Sequence, residues 1–303
     1  MTSDSQASVN AWEDVPLRLA YSPCPNDTFI FHAWVRGLLP GAPAVEEELE
    51  DIDGLNQRAA GEEAEVVKVS MYAFAHLRES YALLHSGGAM GRGCGPLIVA
   101  PKNSRLHPAP SVGRTALLAD ELAYARVAIP GELTTAALLA GLLTGGLRQP
   151  VVMPFDRIMP AVAAGEVDAG VIIHEGRFTF GSYGLRRLVD LGAWWEETTG
   201  LPIPLGGIAV SRSLPAETKA AVELTVRTSV EHARSHPDGA TDYVRAHSQE
   251  MDADVCNAHI ELYVNDFTVD YGEEGERAIR QLLESAEGFG LAAPSGKGLF
   301  WDE

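Results

Sequence analysis

A chain of 303 residues is long enough for two domains with cores of their own, and too long to be a small scaffold stapled by disulfides. Its 46% hydrophobic and 21% charged residues suit a globular protein, and apolar runs such as residues 136–143 fall far short of the roughly 20 needed to span a membrane. Lys and Arg number 23 against 42 Asp and Glu, a formal charge of −19 that disfavours nucleic acid and anionic membranes as partners and obliges any small anion to meet a local positive site.

Residues 1–16 carry Asp4, Glu13 and Asp14 without a basic patch or an apolar stretch, so a disordered tail is expected rather than a secretory signal, and the expected location is the cytoplasm. Residues 17–21 (LRLAY) read as a strand, and Pro23 and Pro25 then make a rigid turn before helical spacing resumes over 28–35. A second strand is expected over 44–49, a helix over 54–60 capped by Asp53, and a third strand over 65–69. This alternation signals a parallel sheet.

The glycines of 87–95 precede the strand-like run 96–100 and the polar loop 101–110, where the chain is expected to cross into another lobe. Alternation restarts there, with strands over 126–129, 150–153 and 169–174 and helices over 134–143 and 157–164. The cluster Leu201-Pro202-Ile203-Pro204-Leu205-Gly206-Gly207 reads as the return crossing, followed by a strand over 208–211 and helical patterning to about residue 290. The expected organisation is thus an α/β protein of two lobes, with 17–100 and 206–303 in the larger and 101–205 inserted as the smaller. Two hinge crossings leave a ligand cleft where strand ends of both lobes meet.

His174 is placed at the carboxyl end of a buried strand, where its imidazole could act as general base near neutral pH or simply bond to backbone. Lys68, Val69 and Ser70 end a strand of the first lobe and offer an ammonium and a hydroxyl to the cleft, although a surface lysine is the plainer reading. Thr134 and Thr135 follow Gly131 at a helix start, either as an ordinary cap or as the positive terminus that receives a carboxylate or phosphate. Asn26, Asp27 and Thr28 open the first helix and could line the cleft, capping being the favoured role for Asp27.

Other motifs offer less. The run Gly91-x-Gly93-x-Gly95 precedes its apolar segment instead of following one, so it reads as hinge backbone and not as a dinucleotide fingerprint. No HExxH, GxSxG or P-loop pattern is present, and Cys256-x-x-His259 reads as a helix face rather than a metal site. Cys24, Cys94 and Cys256, odd in number and widely spaced, read as reduced thiols, and Glu46-Glu47-Glu48 as a solvated face.

Several separated motifs taken in order resemble one family. Ser22-Pro23-Cys24-Pro25-Asn26-Asp27-Thr28-Phe29, Lys68-Val69-Ser70, Gly91-Arg92-Gly93-Cys94-Gly95-Pro96, Pro130-Gly131-Glu132-Leu133-Thr134-Thr135, Ile173-His174-Glu175 and Pro202-Ile203-Pro204-Leu205-Gly206 together look like 1,4-dihydroxy-6-naphthoate synthase of the futalosine route to menaquinone. The resemblance runs from about Leu17 to the C-terminus. It implies a two-lobed, type II periplasmic-binding-protein-like fold. It also implies a carbon–carbon lyase that converts cyclic dehypoxanthinyl futalosine to 1,4-dihydroxy-6-naphthoate with loss of a small sugar-derived fragment. By the same resemblance His174 matches the catalytic base, while Lys68, Val69, Ser70, Thr134 and Thr135 match contacts to a small-molecule carboxylate substrate. No cofactor or metal is expected. Two rival readings share the fold, a cytosolic protein that captures a small anion without chemistry and the chorismate-dehydrating enzyme of the same pathway.

Overall fold

The computed structural model describes residues 15–109, 111, 115–248 and 252–303, so residues 1–14 of the expected tail lie outside the described residues. The first lobe opens with strand β1 (Leu17–Tyr21), helix α1 (Pro25–Val35), β2 (Val45–Leu49), α2 (Ile52–Ala60), β3 (Val66–Ser70), α3 (Met71–Leu77), β4 (Tyr81–Leu83) and β5 (Ala89–Gly91). The second lobe holds β6 (Leu97–Pro101), α4 (Ala116–Tyr124), β7 (Arg126–Ile129), α5 (Thr135–Thr144), β8 (Gln149–Val152), α6 (Phe155–Ala164), β9 (Ala169–Ile172), α7 (Gly176–Thr179), β10 (Leu185–Asp190) and α8 (Leu191–Thr199). The chain then returns through β11 (Ile203–Ser211) to α9 (Ala216–Ser235), α10 (Thr241–His247), α11 (Ala253–Tyr263), α12 (Asp266–Val269) and α13 (Gly272–Gly288).

Two sheets organise these elements. The first runs β2-β1-β3-β11-β4, with β5 also on β11, and the second runs β10-β6-β9-β7-β8. The expected parallel pairing holds for β2, β1 and β3 and for β8, β7 and β9, whereas β11 lies antiparallel to β3 and β6 antiparallel to β9. Alternation along β1 sends Leu19 and Tyr21 into one core with Phe31, Trp34 and Val226, and Ala20 into another with Phe74 and Ile279, so the first sheet is covered on both faces. Among the described residues no helix is long and apolar enough to cross a membrane.

Several expected boundaries move, each for a local reason. Pro25 is the first residue of α1, because its fixed φ suits a first turn that lacks an N–H partner in any case. Asp51, not Asp53, caps α2, its carboxylate accepting the Asp53 and Gly54 N–H groups at 3.0 and 3.1 Å, while Asp53 bonds Gln57 one turn on. β6 pairs with β9 and β10, so the first crossing precedes residues 97–100 instead of following them. The second crossing ends by Ile203, since the Pro/Gly cluster is itself the start of β11 and pairs with β5 and β3. At the first crossing Gly95 approaches Gly192 so closely that an added Cβ would stand 2.3 Å from the Gly192 Cα, a contact that only glycine permits.

Candidate functional site

The lobes border a cleft whose non-protein space, open mouth included, is about 640 Å³. Its floor in the first lobe is built at the carboxyl end of β3. Strand alternation brings Lys68 and Ser70 to the cavity and turns Val69 into the core, where it is fully buried beside Val67. Lys68 is no surface lysine. Its Nζ lies 2.5 Å from Asp27 Oδ1, with the two side chains only 5% and 3% exposed.

Asp27 therefore does not cap α1, contrary to the favoured expectation. The N-cap is Cys24, and the Asp27 carboxylate accepts from Lys68, from Ser22 Oγ at 2.8 Å and from Asn26 Nδ2 at 2.8 Å. Asn26 and Asp27 line the cavity, but Thr28 lies fully buried and donates its hydroxyl back to the Cys24 and Pro25 carbonyls. Ser70 Oγ accepts from Asn56 Nδ2 at 3.1 Å, which leaves its own proton to donate into the cavity.

The second lobe contributes α5 and the segment after β9. Thr134 is the N-cap, its hydroxyl accepting from the Ala137 N–H and donating to the Gly131 carbonyl, so the side chain is spent on the cap. Thr135 donates to the Leu205 carbonyl of β11 at 2.6 Å and receives the Tyr72 N–H at 3.4 Å, so its hydroxyl ties the lobes together. What this helix offers a ligand is the positive terminus at Thr134, Thr135 and Ala136, all three of which border the cavity.

His174 is expected at a strand end, but β9 stops at Ile172 and His174 takes φ +54°, a left-handed conformation rare for a residue with a side chain. Such a conformation costs roughly 1–2 kcal/mol and here swings the imidazole into the cavity. The residue as a whole is part-exposed, yet its ring is packed against Phe155 (centroids 5.1 Å apart), His259 (6.1 Å) and Cys24, whose Sγ lies 3.4 Å from Nδ1. Burial lowers the His174 pKa, opposed by Glu175 and Asp27 and reinforced by Lys68, so the ring is neutral and able to accept a proton at pH 7. Burial raises the Cys24 thiol, which stays protonated and serves as packing and weak donor rather than nucleophile.

Among the lining residues that the sequence reading did not assign to the cleft are His259, which it placed on a plain helix face, and Tyr263. His259 and Tyr263 come from α11, one turn apart, with ring centroids at 4.6 Å, and both border the cavity. The paired ring spacing on one helix face was the available signal. Cys24, Cys94 and Cys256 are all buried. Glu47 of the acidic run is exposed but accepts from the Tyr21 and Tyr243 hydroxyls, and Glu48 pairs with Arg58.

Residues 17–288 match a family model described as menaquinone biosynthesis. The chain belongs to this family. A relative named 1,4-dihydroxy-6-naphtoate synthase from Thermus thermophilus is 50% identical over 284 residues, covering 94% of this chain and 98% of the relative. Another of the same name from Streptomyces coelicolor is 48% identical over 285 residues, covering 92% and 96%. The fold is periplasmic-binding-protein-like. The periplasmic aliphatic sulphonate binding protein of Escherichia coli superposes with a TM-score of 0.63 at 12% identity, covering 94% of this chain and 90% of its own. At that identity the likeness concerns the fold alone. The family membership places the His174 cavity in a menaquinone-biosynthesis protein.

Proposed function

We propose that this member of the menaquinone-biosynthesis family is a carbon–carbon lyase that converts cyclic dehypoxanthinyl futalosine to 1,4-dihydroxy-6-naphthoate, with His174 as general base. The observation that carries the reading is a neutral imidazole, held in a left-handed backbone conformation, inside a cavity that also receives a helix N-terminus. The names of the two relatives support it.

The substrate carboxylate sits at the α5 N-terminus. Lys68 could compete for it, but that ammonium is already paired with Asp27 at 2.5 Å, whereas the α5 terminus presents the positive end of a helix dipole, the Thr134 hydroxyl capping the Ala137 N–H. His174 removes the proton of a sugar hydroxyl, and the oxygen electron pair collapses to a carbonyl as the adjacent carbon–carbon bond breaks. The bonding pair moves into the bicyclic ring, which aromatises, and the imidazolium returns its proton to the product side. The sugar-derived fragment leaves as a dihydroxyacetone-type carbonyl compound. The Thr135–Leu205 bond links the lobes beside the cavity, and closure of the lobes on the substrate would keep water from the reacting atoms.

Mixing the protein with cyclic dehypoxanthinyl futalosine and following naphthoate by absorbance and mass spectrometry tests the assignment. The wild type is expected to turn over, and His174→Ala to bind the compound with turnover reduced at least 100-fold, the lower end for loss of a positioned base. Turnover undiminished in His174→Ala refutes the base. Binding without turnover in both proteins favours small-anion capture, and dehydration of chorismate by the wild type favours the other pathway enzyme.

A further inference from the structure

His259 is the one cavity-lining histidine that this chemistry leaves unused, and its protonation pattern follows from its neighbours. A carboxylate only accepts hydrogen bonds, so the end of Asn26 that meets Asp27 Oδ1 at 2.8 Å is the donating Nδ2. The other end, Oδ1, therefore accepts, and the group facing it at 2.9 Å is His259 Nε2, which must carry the ring proton. Burial, with His174 and Lys68 beside it, holds the His259 pKa well below the ordinary imidazole value, so the ring is neutral. Nδ1 is then a bare acceptor. It is buried in a residue 1% exposed, and it finds no hydrogen-bond partner among the described residues.

A buried acceptor without a donor is a free-energy cost that a ligand can relieve. We propose that His259 Nδ1 accepts the hydrogen bond of a ligand hydroxyl in the cavity, its tautomer locked by the buried chain Asn26–Asp27–Lys68, so that His259 orients the ligand while His174 takes the transferred proton. This rests on the lyase reading above and names the residue that distinguishes hydroxylated from hydroxyl-free bicyclic acids in that site. The stacked His174 ring, 6.1 Å away at 16°, makes the division of labour consistent, since a proton on one imidazole discourages a proton on the other.

Calorimetric titration with 1,4-dihydroxy-6-naphthoate and with 2-naphthoate, which lacks the hydroxyls, tests this without turnover. The wild type is expected to prefer the dihydroxy compound by about 5- to 30-fold, the usual range for one hydrogen bond to an otherwise unsatisfied group. The preference should collapse to within twofold in His259→Phe and largely survive in His259→Asn, which keeps a polar atom near the Nδ1 position. A preference retained in His259→Phe, or absent from the wild type, overturns the proposal, as does failure of both compounds to bind. Should His259→Phe not fold, nitrogen-15 spectra of the histidine-labelled wild type decide the matter. Nδ1 must be unprotonated in the free protein and must shift on adding the dihydroxy compound but not 2-naphthoate. A protonated Nδ1, or no such selective shift, overturns the proposal. Loss of wild-type turnover with this selectivity intact would count against the lyase reading alone.

Discussion

Replacing Lys68 by Met removes the ammonium from a pair whose side chains are 5% and 3% exposed and leaves the Asp27 carboxylate buried. Breaking one half of a buried pair generally costs about 3–5 kcal/mol, because the surviving charge loses its partner without regaining water. Asp27 keeps two donors, Ser22 Oγ and Asn26 Nδ2, each at 2.8 Å, so the expected loss is at the lower end, about 3 kcal/mol. Lys68 has no second acceptor among the described residues, and Asp27→Asn is expected to cost about 3–5 kcal/mol. In the double variant neither charge remains, so its cost should fall short of the sum of the singles by about 2 kcal/mol or more. Urea unfolding midpoints at constant m value supply all three numbers. A Lys68→Met cost below about 1 kcal/mol, or additivity within about 0.5 kcal/mol, would refute the buried, mutually dependent pair.

Burial lowers the pKa values of both His174 and His259, so as pH falls the unfolded chain binds protons first, near pH 6.5. Each ring thus contributes stability that is fully present above about pH 6.5 and is lost as pH drops toward its folded value, at up to about 1.4 kcal/mol per pH unit. Urea midpoints between pH 5 and 7 should fall less steeply in His259→Phe than in the wild type, and equal slopes would count against burial as the cause. The acid limb of kcat/KM is expected below pH 6.5, and a limb above that value contradicts a depressed His174. Gly95→Ala forces a Cβ to 2.3 Å from the Gly192 Cα and should destabilise by about 1–3 kcal/mol or more, measured by thermal unfolding. Gly93→Ala meets nothing within 4 Å and bears only the strain of φ +70°, about 1–2 kcal/mol, so an equal or smaller loss at Gly95 sinks the close-approach reading.

Hydrophobic alternation and prolines were enough to locate β1, β7, α5 and α6 to within a few residues, because these elements bury regular faces. The proline-glycine cluster at 201–207 misled, since edge pairing with β5 tolerates what a central strand would not, and its bulge between Pro204 and Gly206 absorbs the irregularity. Asp27 illustrates the limit most directly. From sequence it is a cap candidate; in the fold the ammonium of a residue 41 positions away claims its carboxylate.

Residue order alone determined the α/β alternation and the positive start of α5, for these depend on local pattern and composition, whereas the points at which the chain crosses between lobes were set by strand pairing. Only the tertiary structure decided which polar groups remain available to a ligand. Thr134 and Thr135 spend their hydroxyls on the cap and the lobe contact, Lys68 is matched by Asp27, and His259 arrives from α11, 85 residues after His174 in the chain, with one nitrogen committed to Asn26 and the other bare. Availability is set by partners distant in sequence, which local pattern cannot show.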